Sequence, residues 1–588
     1  MNVNRSVFFF LIFLVFTTGF SFAQKGNFGI QSEGEMPCQF AYYKLKENRS
    51  DFKQKALFTN TLLIYGTDLN HYLDRVIMNL LLDEPILKQK VKIYLYRSVE
   101  PNIYTTADSI LIINIGLLAR IQNESELAFI LSHELAHLYK NHAYTSDRFS
   151  KKEKIQHEDL FNKEHFRSEE DELEADQFGY THFFLPHGYK TQDIQNVFMC
   201  FESDRTFQLN SFHFKDFLLQ QSYPFSNTNF IDNSEIDSED SPELNDFIQQ
   251  RIEKFNSYKQ QNDYENQTDT EFLAYKRIAV DELLRLKVID HDYLNSIHLS
   301  SMLMYQKSDN PFYVTVWLAS NYGILKMREK DPDFNWSDDQ LNSSFKKEIQ
   351  YFYTHISLTE LKSYVLYLAT DLSKKYPDNS YYWSLINSIN GFNEHQKYTF
   401  PSNNLTIFDP TYQKVNRENE TIKNLDDELS EIMESIARKT YCNVFIMKSE
   451  HRSLFNTELD NQYGQLRLLK NSVLKYSDTN FVYFPILDNQ QQIINRPIYF
   501  VHIQYRSVPD RFITRFYYLP LILLNPSSLP FTTAHVFANR ARMRVQFVFF
   551  DTQTNTINYN IDQTFSDFNG KTILKQFLFD QFVKISNP

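Results

Sequence analysis

The stretch Leu127-Ala128-Phe129-Ile130-Leu131-Ser132-His133-Glu134-Leu135-Ala136-His137 decides the reading of this chain. It sets H-E-x-x-H inside an apolar helical run. Residues four apart share a helix face, so the two imidazoles converge on one point. Neutral imidazole suits Zn²⁺, and a catalytic zinc takes three protein ligands and a water. Glu134, beside the first histidine, is placed to act on that water as general base. The pattern is short, and a chain with 16 histidines can hold it by chance as a buried helix with two incidental histidines. Its context favours metal. Asn123 with Glu126 reads as an N-cap pair, which predicts a helix from about Glu124 to Tyr144. Leu127, Ile130, Leu131, Leu135 and Leu138 give that helix a core face. Without metal, two rings would carry polar nitrogens into the core in need of partners.

A third ligand has three possible sources. The metzincin pattern puts Gly and then His at positions that are Lys140 and Ala143 here, so it does not apply. His142 lies about 140° further round the helix than His137, poorly placed for the same ion. A carboxylate on a second helix remains, and Glu169-Glu170-Asp171-Glu172-Leu173-Glu174-Ala175-Asp176-Gln177-Phe178-Gly179-Tyr180 offers one. Glu172 and Asp176 are one turn apart on a shared face. Glu172 can bind zinc, while Asp176 can accept the outer N–H of a zinc-bound histidine and fix its tautomer. Taken alone, such an acidic run is usually a solvated helix face.

These features together resemble the gluzincin family of CAAX prenyl proteases, HtpX-type membrane proteases and periplasmic BepA/Oma-like proteases (peptidase family M forty-eight). Pro101-Asn102-Ile103-Tyr104 is similar to the family's P-N-A-F segment. Ser109 through Leu118 resembles the strand and G-L-L turn that precede the zinc helix. Glu126-Leu127-Ala128, the zinc motif, a histidine at His142 and the E-x-x-A-D segment Glu172–Asp176 follow in order. The resemblance covers roughly residues 60–255. It implies ligands His133, His137 and Glu172, one zinc per chain, and Glu134 as base. A histidine–proline pair and a later arginine are common in the family. Here Ser241-Pro242 precedes Arg251, which makes Arg251 a weak carry-over. His187, after Pro186, is either a polar gate to the cleft or a surface-loop histidine. A substrate strand is expected to pair along an edge formed by Ser109, Ile110, Leu111, Ile112, Ile113 and Asn114.

Residues 1–23 read as a secretory signal: Arg5, an apolar run from Val7 to Phe16, and Ser21-Phe22-Ala23 before Gln24. An uncleaved anchor is the alternative. No later stretch reaches the roughly 18 apolar residues of a membrane span. This sets the chain apart from the integral-membrane branches and fits the soluble, secreted one, periplasmic or envelope-associated. The three cysteines, Cys38, Cys200 and Cys442, allow one disulfide at most. A net charge of −13 argues against nucleic acid and against a polybasic grip on lipid.

The expected fold is α+β. A lead-in covers 24–60 and a mainly helical protease domain with a small edge-strand sheet covers 61–258. A helical domain, open to a repeat-like reading, covers 271–395, and a β-rich or α+β domain covers 440–588. Residues 231–246 and 259–272 read as exposed polar loops. The period typical of tetratricopeptide repeats is not visible, although the segment Ala369–Asn379 ends as such helices often do. Strands are expected at Asn443–Met447, Phe481–Phe484, Ile498–Tyr505, Phe516–Leu519 and Val545–Phe550. The function these features imply is a zinc endopeptidase with polypeptide substrates, misfolded or misassembled envelope proteins among them, and possible envelope partners for its C-terminal domains. The alternative is a chaperone-like or scaffold protein that keeps the protease fold, although a pure scaffold has no need of Glu134.

Overall fold

The computed structural model describes residues 62–64, 67–105, 109–142, 168–192, 194–200, 212–231, 246–260, 269–306, 310–331, 344–391, 404–415, 421–440, 443–448, 457–476, 481–485, 498–508, 540–552, 554–567 and 570–586. The expected signal segment, the lead-in, Cys38, Cys442, most of both polar loops and the strand expected at Phe516–Leu519 lie outside the described residues. Everything described falls within one unit, Gln54–Pro588. The architecture is mainly helical α+β, with two mixed sheets.

The first sheet holds β1 (Leu63–Ile64), β2 (Lys92–Tyr96), β3 (Ile103–Thr105) and β4 (Ile110–Asn114) in the order β1-β2-β4-β3. β2 and β4 run parallel, while β1 and β3 are antiparallel to their neighbours. This corrects one expectation. Ser109, Ile110, Leu111, Ile112, Ile113 and Asn114 do not form an open edge, because β4 pairs with β2 on one side and β3 on the other. The run of consecutive apolar residues was itself the sign of a central strand, since a strand buried on both faces does not alternate. All five residues of β4 are buried, and β3 beside it is the last strand of the sheet among the described residues.

Helices α1 (Asp68–Leu80), α2 (Pro85–Lys90) and α3 (Ile115–Arg120) lead to the histidine helix α4 (Glu124–Lys140). α4 begins as expected. Asn123 accepts from the Glu126 N–H at 2.9 Å, and the Glu126 carboxylate accepts from the Gln122 N–H at 2.6 Å. It ends sooner than expected, because Asn141 takes the left-handed conformation (φ 60°, ψ 28°) and its N–H turns back onto the His137 carbonyl. Asparagine is among the few residues that visit this region readily. The acidic helix α5 (Glu169–Phe178) is capped by Ser168, whose hydroxyl accepts from the Asp171 N–H at 3.1 Å. It continues as a π-turn, Gly179–Phe184, and a 3-10 turn, Leu185–His187. α6 (Gln195–Cys200), α7 (Phe214–Gln220) and α8 (Asp246–Tyr258) come next.

The helical stretch comprises α9 (Asp269–Ile289), α10 (Tyr293–Tyr305), α11 (Pro311–Lys330), α12 (Ser344–His355), α13 (Leu358–Lys375) and α14 (Ser380–Ile389). Helix lengths run from 21 residues in α9 to 10 in α14, and these helices do not show a repeated pair. Beyond them stands a six-stranded sheet of β5 (Asn404–Val415), β6 (Thr421–Asn424), β7 (Asn443–Met447), β8 (Ile498–Val508), β9 (Arg540–Asp551) and β10 (Thr556–Asp567). Its order is β10-β9-β8-β5-β6, with β7 also on β5. Helices α15 (Asp426–Thr440), α16 (Thr457–Tyr476) and α17 (Gly570–Ser586) accompany it. Three of the expected strands are present as β7, β8 and β9. Phe481–Phe484 makes only one bridge, Val482 to Thr556. Its backbone is otherwise engaged: the Val482 N–H donates to the Tyr322 hydroxyl at 3.1 Å and the Tyr483 N–H to the Asn555 carbonyl at 2.8 Å. Among the described residues, no helix is long and apolar enough to cross a membrane.

One apolar core runs from Ile64 through the helical stretch to Ile557, and a second lies between the larger sheet and α15 and α17. α9 joins the first sheet to the later helices. Tyr275 stacks on Tyr72 with centroids 4.6 Å apart, and Arg97, just past β2, donates to Glu282 at 2.8 Å. The Arg97 side chain is only 4% exposed. Removing one partner of a buried ion pair leaves an uncompensated charge and costs about 3 kcal/mol. Glu282→Ala is therefore expected to lower the stability of the whole unit by that order, read as a lower urea midpoint in a single transition. A separate transition for the histidine-bearing region would contradict the shared core.

Candidate metal centre

α4 carries His133 and His137 one turn apart, and α5 brings Glu172 against them. The two Nε2 atoms are 2.9 Å apart. His133 Nε2 lies 3.2 Å from one Glu172 oxygen and His137 Nε2 lies 3.4 Å from the other. The three ligand groups lie within 4.8 Å of one another. Zinc bonds of 2.0–2.2 Å in a tetrahedron place ligand atoms about 3.3–3.5 Å apart. Both the spacing and the donor set, two imidazoles and one carboxylate, fit zinc.

Close approach of the two elements depends on Gly179, at the junction of α5 and the π-turn. A Cβ there would sit 2.7 Å from the Ser132 carbonyl oxygen and 3.0 Å from the His133 nitrogen. Those are backbone atoms of α4, which cannot rotate away. The acidic helix thus rests directly on the turn that bears the first ligand.

Behind the ligands stands a charged scaffold. Asp176, buried, accepts from His133 Nδ1 at 2.8 Å, as its place on the helix face suggested. Arg251 of α8 grips the same carboxylate with two bonds, Nε at 2.8 Å and an Nη at 2.7 Å, and approaches Glu172 at 3.8 Å. Its guanidinium also lies over the Phe198 ring, 5.1 Å from the centroid. Burial alone would raise the Asp176 pKa, but Arg251 and His133 hold it below the usual range. Burial opposes the charge on His133 too, yet Asp176 and Glu172 push its pKa up to about 9. For Glu172, burial is outweighed by hydrogen bonds from His133 and His137, which keep it ionised. The cluster is thus built to hold a positive charge.

Glu134 sits between the ligands in sequence and is buried. The Thr105 hydroxyl, at the end of edge strand β3, donates to its carboxylate. Sequence reading missed Thr105. The P-N-I-Y segment pointed at its neighbours, but nothing in the spacing announced a contact across 29 residues. His142 is not among the three grouped ligands, and it does not continue the helix that the wheel assumed. α4 has ended before it, and the left-handed Asn141 swings its ring back so that Nδ1 meets His137 Nδ1 at 2.9 Å. His187 is not brought to the cluster. Its Nδ1 bonds the Phe183 carbonyl at 2.6 Å, closing its own turn. Cys200 is buried, and burial lifts its thiol to about 12, so it stays protonated at neutral pH.

Gly179→Ala is expected to cost about 1–3 kcal/mol, the usual range for overpacking against fixed atoms. It should also weaken zinc binding by separating Glu172 from the histidines. Thermal melting and chelator competition measure the two effects. Wild-type values in both would show that the helices do not meet this closely.

No curated protein matches the sequence. The family model of peptidase family M48 matches residues 68–157, a span that includes β3, β4, α4 and both ligand histidines and stops short of Glu172. The match over residues 68–157, with the histidine pair set against Glu172 on the neighbouring helix beyond it, identifies a peptidase family M48 domain in this chain, with the ligands of a metalloendopeptidase zinc site in place.

Proposed function

We propose that the protein is a zinc-dependent endopeptidase of the periplasm or cell envelope that cleaves misfolded or misassembled polypeptides. The convergence of His133, His137 and Glu172 on one point, with Glu134 one residue away, carries this reading. Zinc held there supplies Lewis-acid polarisation of the scissile carbonyl and a water acidified enough to attack it. Glu134 takes a proton from the attacking water and delivers it to the leaving amine. The Thr105 hydroxyl holds one Glu134 oxygen and so fixes the position of the carboxylate. Asp176 fixes the outer nitrogen of His133 so that Nε2 keeps its lone pair for the metal. An extended substrate would be taken up by strand addition to β3, the last strand of the sheet among the described residues, whose Thr105 touches Glu134. The signal-like residues 1–23 support secretion. The helical stretch and the larger sheet are assigned the role of holding clients.

Metal analysis and casein cleavage of wild type beside Glu134→Gln test the reading. Glu134→Gln is expected to retain zinc and the wild-type melting temperature while losing proteolysis by several orders of magnitude, because the residue is a base and not a ligand. Undiminished cleavage by this variant would sink the assignment. His133→Ala, His137→Ala and Glu172→Ala are each expected to lose most of the zinc, and full occupancy in Glu172→Ala would move the third ligand to another carboxylate of α5.

A further inference from the structure

The outer nitrogen of His133 is held by a carboxylate, whereas that of His137 meets another imidazole. His137 Nδ1 and His142 Nδ1 are 2.9 Å apart, and both rings are buried. A contact of this kind needs an N–H on one ring and a lone pair on the other. His137 Nε2 faces the metal position and must present its lone pair there, so its proton sits on Nδ1. His142 Nδ1 is then the acceptor, and the proton of neutral His142 sits on Nε2. That atom faces Glu174 at 3.3 Å and Asp171 at 3.8 Å. Glu174 is itself held by Lys140 at 2.8 Å. Each step fixes the next, from the acidic helix back to the metal ligand.

We infer that His142 is a positioning residue for His137: it accepts the outer N–H of that ligand and passes its own Nε2–H to Glu174, locking the tautomer in which His137 binds metal. This rests on the zinc reading of the cluster. The device depends on the left-handed turn at Asn141, which takes the chain off the axis of α4 and returns the next ring to the preceding turn. It also ties α5 to α4 a second time, since the helix that supplies Glu172 supplies Glu174 as well.

Zinc affinity of the full chain, measured by competition with a chromophoric chelator, tests the inference, with melting of the metal-free protein measured in parallel. His142→Leu is expected to weaken zinc by about 10- to 100-fold, the usual effect of losing a ligand's hydrogen-bond partner. His142→Gln, whose side-chain carbonyl can accept the same N–H, should recover most of that loss. Glu174→Ala, which removes the acceptor, should weaken zinc less, and only where His142 is present, so the two changes are non-additive. Wild-type affinity in His142→Leu overturns the inference while leaving the zinc reading intact. Equal losses in the Leu and Gln variants, matched by equal drops in metal-free melting, overturn it in favour of simple packing. Should His142→Leu fail to fold, unchanged affinity in Glu174→Ala, a change at a half-exposed position, overturns the relay. A wild-type protein that binds no zinc overturns both readings.

Discussion

The contact between Arg251 and Asp176 is the one on which the metal centre hangs. A carboxylate as buried as Asp176 is costly to ionise alone, and a neutral acid there could no longer accept from His133 while remaining paired with a cation. The bidentate guanidinium answers that cost with two short bonds in good geometry. Since the partners are 75 residues apart, the site is complete only once α8 has docked on α5. Truncating one member of such a pair is far more damaging than its net contribution suggests, because the other stays buried and charged.

The sequence made the centre legible where spacing alone decides geometry. His133, Glu134 and His137 follow from the helical period, and Asn123 with Glu126 marks the start of their helix. Glu172 and Asp176 are one turn apart and needed only the assumption of a second helix. The rest was hidden for separable reasons. The end of α4 turns on a single backbone conformation at Asn141, and an asparagine can equally stay helical, so the place of His142 could not be read. Thr105 acts through a tertiary contact that has no local period, and Arg251, offered only weakly by the family resemblance, acts through another. β4 was legible as a strand, but its neighbours were not, and the apolar run was assigned to an edge although its lack of alternation spoke for the centre. Phe481–Phe484 has strand-like residues whose hydrogen bonds go to a tyrosine side chain and a turn, a competition that composition does not reveal. β5 and β10, long and with many polar residues, gave no comparable apolar signal.

Organisation beyond the site is more continuous than the sequence suggests. The polar segment near residue 260 reads as a boundary, yet one apolar core takes residues from both sides of it. α9 supplies Tyr275 to Tyr72 and Glu282 to Arg97, and Lys276 reaches Gln122 at 2.8 Å. The larger sheet is attached in its turn through aromatic contacts. Tyr483 meets Phe550, Phe481 meets Tyr322, and the His291 ring lies flat on Tyr476 at 3.4 Å. Burial pulls the His291 pKa down to about 3, so it joins this stack as a neutral ring over the physiological range. A strain introduced among the C-terminal aromatics thus has packed neighbours all the way to the sheet beside Glu134.

The π-turn at Gly179–Phe184 bears on how this region tolerates insertions and deletions over evolutionary time. A π-turn closes its hydrogen bonds one residue later than an α-turn, so it stores an extra residue without shifting the helix on either side. Here that slack lets consecutive Phe183 and Phe184 both be buried while Gly179 keeps its seat on Ser132. Deleting that one stored residue would return the turn to α geometry and cost the wide spacing that buries both phenylalanines. A change beyond that slack would rotate everything downstream by roughly a quarter of a revolution, carrying Phe184 out of phase with Asp176 and disassembling a site it never touches.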